Sequence, residues 1–194
     1  MKYLLLLIIL LIPAKAHSED LCAELSLLGE APTVLPIPIS QANEDTLLWL
    51  SRAFVSEAGF GAMTDYATFA WILARKWQER VVKDPSWTFK QEIFAYCTGF
   101  KYKTINRPRQ RWVQHLPEDG ITKPPGWTHK ANWENHKKYW SEVRVFAKAW
   151  SLGQIVDPCK GRATDWAAPH VIVAKTTFMR VPCGKTKNHY YRIR

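Results

Sequence analysis

The chain has 194 residues, a formal net charge of +10 and ten tryptophans. A chain of this size buries roughly 70% of its unfolded surface, so it can form one stable hydrophobic core without metal ions or disulfides. The charge favours an anionic partner, and cell wall, anionic lipid, lipopolysaccharide and extracellular DNA all qualify.

The N-terminus has the layout of a cleavable secretory signal. Lys2 gives a positive start, Tyr3–Ile12 is an apolar run, and Ala14-Lys15-Ala16 fits the small-x-small rule of signal peptidase. The run is shorter than the roughly 20 residues of a membrane-spanning helix, so a retained anchor is the less favoured alternative. We therefore expect residues 1–16 to be a signal peptide and the protein to be periplasmic or extracellular, without a stable membrane anchor.

Residues 17–42 form a predicted N-terminal arm. Its prolines Pro32, Pro36 and Pro38 exclude a helix or a central strand, so we expect an extended segment packed on the surface.

Helical periodicity begins at Asn43, a predicted N-cap, and Gly59 is predicted to end the first helix. Thr64 is predicted to cap a second helix, which ends before Pro85. The apolar positions of the two helices are Leu47, Leu50, Phe54 and Ala58, then Tyr66, Phe69, Ala70, Leu73 and Trp77.

Ser86 is predicted to cap a third helix, and a fourth helix is predicted from about Asn132 to Leu152, with Gly153 as its C-cap. The third helix would bury Phe89, Ile93, Cys97 and Phe100. The fourth would bury Trp133, Tyr139, Trp140, Val143, Phe146, Ala147 and Trp150. Residues 101–130 are predicted to be irregular, and Val171–Val181 is prone to form a strand.

The four cysteines are Cys22, Cys97, Cys159 and Cys183. An even number in an exported chain indicates two disulfides, for which three connectivities exist. We favour Cys159 with Cys183, which flank the last segment, and Cys22 with Cys97. A zinc site is the alternative, but there is no C-x-x-C spacing and the histidines have no metal-like spacing. We assign no metal and no cofactor.

Glu57 departs from the apolar pattern of the first helix. It follows Leu50, Ala53 and Phe54 at helical spacing, so its carboxylate lies on or beside the apolar face in the last turn. Desolvation and the negative end of the helix dipole both raise the pKa expected there, as a general acid near neutral pH requires. A glutamate that reaches water or pairs with Arg52 or Arg75 is the alternative.

Three ordered blocks resemble the SleB-type cell-wall hydrolases, the spore-cortex-lytic enzymes and their Gram-negative relatives. The first is Ser56-Glu57-Ala58-Gly59 with the helix ending Ala70–Arg75. The second is Ala147–Gly153 with Asp157–Trp166, and the third is Gly184 to Tyr191. The sequence departs from the family at Gly61, where a second acid is usual, and at Asp165, where the family has histidine. Asp65 is a candidate replacement for the acid, and an N-terminal helix charge is the alternative reading of it.

The resemblance implies a lysozyme-like, mainly α (α+β) single domain over residues 43–194 that cleaves peptidoglycan glycan strands. Glu57 would be the general acid and base, and Asp165 is the candidate second carboxylate. Hydrolysis usually needs such a partner, whereas a lytic transglycosylase uses the sugar's own 6-hydroxyl, so we favour transglycosylase over lysozyme chemistry. Trp166, Tyr66 and Thr164 are the candidate substrate-binding residues.

Two further features bear on the partner. The tryptophans Trp112, Trp127, Trp133 and Trp166 offer flat apolar faces suited to sugars, although Trp133 is more readily a core residue. Five cations between Lys101 and Arg111 resemble a nucleic-acid patch, but for an exported chain we favour the anionic wall, and a solvated face is the alternative. We expect a monomer that binds peptidoglycan and no nucleic acid. The alternative function is an inert glycan-binding or cationic surface-active protein.

Overall fold

The computed structural model describes residues 35–97, 112–127, 132–167 and 177–193. Within these ranges, four α-helices precede three short strands: α1 Glu44–Ala58, α2 Met63–Val81, α3 Phe89–Tyr96, α4 Trp133–Ser151, β1 Asp165–Ala167, β2 Phe178–Val181 and β3 His189–Ile193. The predicted mainly helical class with a small β element near the C-terminus is confirmed. The predicted signal peptide, most of the N-terminal arm, the basic run from Lys101 to Arg111 and most of the β-prone run lie outside the described residues.

The first two helices are joined by a turn that glycine makes possible. Asn43 caps α1 as predicted, since its side chain accepts a hydrogen bond from the Thr46 N–H at 2.8 Å. Gly59 and Gly61 adopt positive φ angles of 77° and 72°, which L side chains rarely adopt. The prediction that Thr64 caps α2 is wrong, because the carbonyl of Ala62 already accepts the Tyr66 N–H at 2.9 Å and the helix begins at Met63.

The third helix also begins at a different residue from the one predicted. Thr88 is the N-cap and forms a capping box with Gln91. The side chain of Ser86 instead donates to the Asp84 carboxylate at 2.6 Å, so the prediction that Ser86 caps α3 is wrong. The helix ends at Tyr96, with Cys97 as its C-cap.

Helix α4 confirms most of its predicted buried face. Asn132, near which the helix was predicted to begin, is its N-cap and accepts the Glu134 N–H at 3.3 Å. The prediction that Gly153 is the C-cap is wrong by one residue, because Leu152 is the C-cap and Gly153 follows it at a φ of 73°. Of the predicted core positions, Tyr139 differs, since 45% of its surface is exposed. It lies beside the buried stripe of α4 that contains Trp140 and Val143 and therefore at the edge of the core.

The main core lies where α1 packs against the other helices. Phe54 of α1 is fully buried and contacts Tyr66 at 4.9 Å, Phe146 at 5.9 Å and Phe69 at 6.1 Å between ring centroids. Ile37, from the end of the N-terminal arm, is 1% exposed and joins this core.

The strands form an antiparallel sheet in the order β1-β3-β2. A smaller core beneath the sheet contains Ile72, Cys159, Ala163, Val181, Cys183 and Tyr190. The side chain of Trp166 packs against both cores and so connects the sheet to the helices. Within the described residues, no helix has the length and apolar character that crossing a membrane requires.

Candidate functional site

Glu57 lies in the last turn of α1, directly before the glycine turn. Its side chain is half-buried, as expected for a residue beside the apolar face. The helix ends at Ala58, and its C-cap Gly59, two residues after Glu57, donates its N–H to the Val55 carbonyl at 3.0 Å. The carboxylate therefore lies at a helix end that is fixed by a hydrogen bond and a required glycine.

The indole N–H of Trp166 donates to Glu57 Oε2 at 3.2 Å. The two residues are 109 positions apart in sequence, and they come from two of the blocks on which the family resemblance rests. Trp166 is held against α2 by an edge-to-face contact with Phe69, with ring centroids 4.6 Å apart. The structure thus brings the predicted acid and the favoured substrate-binding tryptophan together.

The loop before β3 binds the same turn through two further hydrogen bonds. Asn188 donates its side-chain N–H to the backbone carbonyl of Glu57 at 3.4 Å. Lys187 donates from Nζ to the backbone carbonyl of Phe60 at 3.2 Å. Carbonyls at a helix C-terminus lack intrahelical partners, so these donors satisfy groups that the fold leaves open. Neither residue was singled out from the sequence, although both belong to the third family-like block.

Asp65 is the residue that places this loop. It is 1% exposed, and its carboxylate accepts the backbone N–H of Lys187 at 2.7 Å, that of Asn188 at 3.0 Å and the hydroxyl of Tyr190 at 2.8 Å. Burial, followed by the charge of Asp65, raises the pKa of the Tyr190 phenol well above its usual range. The sequence makes Asp65 a candidate second acid, and in the structure its carboxylate oxygens accept hydrogen bonds from the loop before β3.

Asp165 is brought next to Lys76 rather than turned toward Glu57. Its Oδ1 accepts from Lys76 Nζ at 3.1 Å, and its Oδ2 accepts from the Thr164 hydroxyl at 2.9 Å. Successive side chains of a strand point to opposite faces, so Asp165 and its neighbour Trp166 face different ways. The N–H of Thr164 donates to the Tyr191 carbonyl at 2.7 Å, so this predicted substrate-binding residue helps to join β1 to β3.

Tyr66, the other predicted substrate-binding residue, lies in the main core. It is fully buried, stacks on Phe54 and donates its hydroxyl to the Gly59 carbonyl. In this position the tyrosine supports the turn after Glu57 and has no surface on which a sugar could stack.

The two arginines that offered a structural explanation of Glu57 have other partners. Arg52 donates to the Leu116 carbonyl at 2.7 and 3.1 Å and lies over the Trp49 ring. Arg75 forms a 2.6 Å ion pair with Asp157. The sequence could not distinguish these partners, because Leu116 and Asp157 are distant along the chain.

The predicted disulfide between Cys159 and Cys183 is present. It joins the turn before β1 to the loop after β2. Cys97 is buried at the end of α3, and its predicted partner Cys22 lies outside the described residues. Among the described residues, no group of three or more histidine, cysteine, aspartate or glutamate side chains could hold a metal ion.

A groove of about 700 Å³ lies between the N-terminal half of α1 and the outer face of α4. Its lining includes Ser51, Arg144 and Lys148 but neither Glu57 nor Trp166. Its charges are paired within the protein, since Lys148 Nζ lies 3.1 Å from Glu44 and Arg144 lies 3.8 Å from the same carboxylate. We assign no ligand to it.

Comparison with protein-family models finds none that matches the chain, and comparison with characterised proteins and with solved structures likewise finds no match. The case for a function therefore depends on the residues around Glu57.

Proposed function

We propose that this protein cleaves the glycan strands of peptidoglycan between N-acetylmuramic acid and N-acetylglucosamine, with Glu57 as general acid and base. The observation that carries the proposal is the 3.2 Å hydrogen bond from Trp166 Nε1 to Glu57 Oε2. General acid catalysis requires a positioned proton donor, and a half-buried carboxylate whose orientation is set by an indole N–H supports that role.

The reaction uses the single carboxylate twice. Protonated Glu57 gives its proton to the glycosidic oxygen, and the bond from that oxygen to the muramic C1 breaks. The carboxylate then removes a proton from the muramic 6-hydroxyl, whose oxygen bonds to C1 and closes a 1,6-anhydro ring. In a lysozyme, a water molecule would take the place of that hydroxyl.

The placement of the other acids favours the transglycosylase route. Hydrolysis usually needs a second carboxylate across the scissile bond. Asp65 is engaged by the loop before β3, and Asp165 pairs with Lys76. An intramolecular hydroxyl needs no carboxylate nucleophile, so Glu57 alone is sufficient for that chemistry.

The test is digestion of purified peptidoglycan by the wild-type protein and by Glu57→Gln, with the products identified by mass spectrometry. Glu79→Gln, which changes an exposed carboxylate of α2, is the matched control. We expect anhydro-muramyl products from the wild type and from the control, and a loss of at least about 10³-fold with Glu57→Gln.

Each other outcome has a definite meaning. Products with reducing muramyl ends would show that the protein hydrolyses the strand and is not a transglycosylase. No cleavage of native, deacetylated or de-O-acetylated peptidoglycan by the wild-type protein would refute the enzyme proposal and favour the alternative, a protein that binds glycan or acts on anionic surfaces without catalysis.

A further inference from the structure

Four partly exposed rings form a continuous surface on one side of the turn Gly59–Gly61. We call Phe60, Trp127, His136 and Tyr139 the aromatic surface. Their ring centroids are close: Phe60 lies 5.3 Å from His136 and 6.5 Å from Tyr139, and Trp127 lies 5.2 Å from His136. The surface joins the irregular segment before α4 to the first turns of that helix.

Two buried tryptophans support these rings from beneath. Trp112, 2% exposed, stacks parallel to Phe60 at 6.2 Å and contacts Trp127 at 4.4 Å. Trp133, 3% exposed, contacts Trp127 at 5.0 Å and donates its indole N–H to the Ile121 carbonyl at 2.8 Å. Rings packed in this way lose little freedom when a ligand binds, so the surface is preorganised.

The exposure of Tyr139 is not what its sequence position predicts. It has the spacing of a core residue in α4, yet 45% of its surface is exposed while the next residue, Trp140, is fully buried. The exposed part of this ring contributes no burial free energy to folding, and an exposed ring beside other partly exposed rings is typical of an interaction site.

The position of the surface identifies its ligand. Phe60 follows Glu57 by three residues, so their Cα atoms are within roughly 11 Å, a distance that a short oligosaccharide spans. The same turn receives hydrogen bonds from Lys187 and Asn188 of the loop before β3. A strand whose cleaved bond lies at Glu57 would therefore pass close to Phe60 and to the rings that Phe60 contacts.

We propose that the aromatic surface binds sugar rings of the glycan strand next to the bond that Glu57 protonates. This inference rests on the proposed function and adds the residues that bind the strand. Pyranose rings present an apolar C–H face to an aromatic ring, and the polar edges of Trp127, His136 and Tyr139 can bond to sugar hydroxyl and acetamido groups.

The experiment uses Tyr139→Ala and Trp127→Leu, which each remove one ring, and Tyr96→Ala as the matched control. Tyr96 is a half-buried tyrosine of α3 whose ring lies against Lys76. Binding of soluble glycan strands is measured by calorimetry in the Glu57→Gln background, and KM and kcat are measured without it. Circular dichroism establishes that each variant is folded, and Tyr139→Ala is the safer variant because its ring is the more exposed.

We expect Kd and KM to rise about tenfold in both ring variants, with kcat within twofold of the wild type and the Tyr96→Ala values unchanged. Unchanged Kd and KM in folded Tyr139→Ala and Trp127→Leu would overturn the inference, even if cleavage depends on Glu57. Glycan binding that depends on Tyr139 in a protein without any cleavage activity would support the inference while refuting the proposed function. Absence of glycan binding by Glu57→Gln itself would also overturn the inference.

Discussion

Two groups of residues contact the turn Gly59–Gly61 or its neighbours and are built in different ways: the sheet side, which includes Asp65, Lys187 and Asn188, and the aromatic side, which is the aromatic surface. On the sheet side, buried polar groups are joined by directional hydrogen bonds, of which the Asp65 carboxylate accepts three. On the aromatic side, rings pack on one another, and Tyr139 remains 45% exposed.

The difference indicates a division of tasks between the two surfaces. A hydrogen bond fixes atoms at a given distance and angle, so the sheet side is suited to hold Glu57 in one orientation. Ring contacts tolerate small displacements, so the aromatic side is suited to a ligand made of repeated, similar units. Removal of a polar group on the sheet side should therefore strongly lower the free energy of unfolding or kcat. Removal of a ring on the aromatic side should mainly lower the affinity for the ligand.

The largest effect is expected from Asp65→Ala. The change leaves two backbone N–H groups and the Tyr190 hydroxyl buried without their acceptor, and we expect the free energy of unfolding to fall by about 4 kcal/mol. Urea denaturation followed by circular dichroism measures the loss.

Asp119→Ala is the matched control for Asp65→Ala. Asp119 also accepts two backbone N–H groups and a hydroxyl, from Ile121 and Thr122, but it is exposed to solvent. These hydrogen bonds, that of the Thr122 side chain first, lower the pKa of Asp119 to about 2. Water can replace the lost carboxylate there, so the loss should be much smaller. Equal losses of unfolding free energy in the two variants would contradict the expectation that burial makes the hydrogen bonds of Asp65 more costly to lose.

The second largest loss of unfolding free energy is expected from removal of the disulfide. The bond between Cys159 and Cys183 closes a loop with a sequence separation of 24, for which chain entropy gives a stabilisation of about 3 kcal/mol. We expect the free energy of unfolding of the Cys159→Ser, Cys183→Ser double variant to be lower by about that amount, so that it unfolds at a lower urea concentration. Reductant should shift the wild type in the same direction, and any shift that it causes in the double variant reports the predicted bond between Cys22 and Cys97. The same midpoint for wild type and double variant without reductant would count against this expectation.

Trp166→Phe tests whether the sheet side orients Glu57. The change keeps a ring against Phe69 but removes the N–H that Glu57 accepts, and hydrogen bonds to charged groups contribute about 2 kcal/mol. We expect kcat on peptidoglycan to fall by about 10- to 100-fold. Trp71→Phe is the control, since Trp71 is also half-buried but donates its indole N–H to the Ile155 carbonyl at 3.0 Å. An equal loss of kcat in both variants would indicate general destabilisation.

Local signals in the sequence were sufficient for several elements but not for the site. Asn43 and Gly59 could be predicted as helix ends, because capping depends on residues a few positions apart. The contact between Glu57 and Trp166 could not be derived from spacing, because it depends on how a three-residue strand pairs with β3. The resemblance named both residues, but only folding shows them in contact.

Asp65 and Tyr139 are two further residues whose surroundings could not be predicted from local sequence. In sequence Asp65 reads as a helix charge or a second acid, because its partners lie more than 120 residues further along the chain. Tyr139 has the period of a core residue, but the width of the buried stripe on α4 depends on which neighbours cover it. Tertiary contacts determine both the hydrogen-bond partners of Asp65 and the exposure of Tyr139. Neither property can be predicted from residues within one helical turn.

The smallest effect concerns the pH dependence of the sheet side. Burial raises the pKa of Tyr190 in the folded protein, whereas in the unfolded chain a tyrosine ionises near pH 10. The stabilisation linked to this proton is therefore fully present below pH 10 and is lost as the pH rises above it, because unfolding then releases the proton. For this one group the loss approaches about 1.4 kcal/mol per pH unit well above pH 10. Tyr190→Phe cannot ionise, so the difference in unfolding free energy between wild type and variant should shrink by about 1 kcal/mol from pH 10 to pH 11, because about half of the unfolded-state tyrosine is already ionised at pH 10. Urea denaturation at pH 8, 10 and 11 measures it, and a constant difference across that range would mean that Tyr190 ionises equally in both states and that the Asp65 loop is open to water.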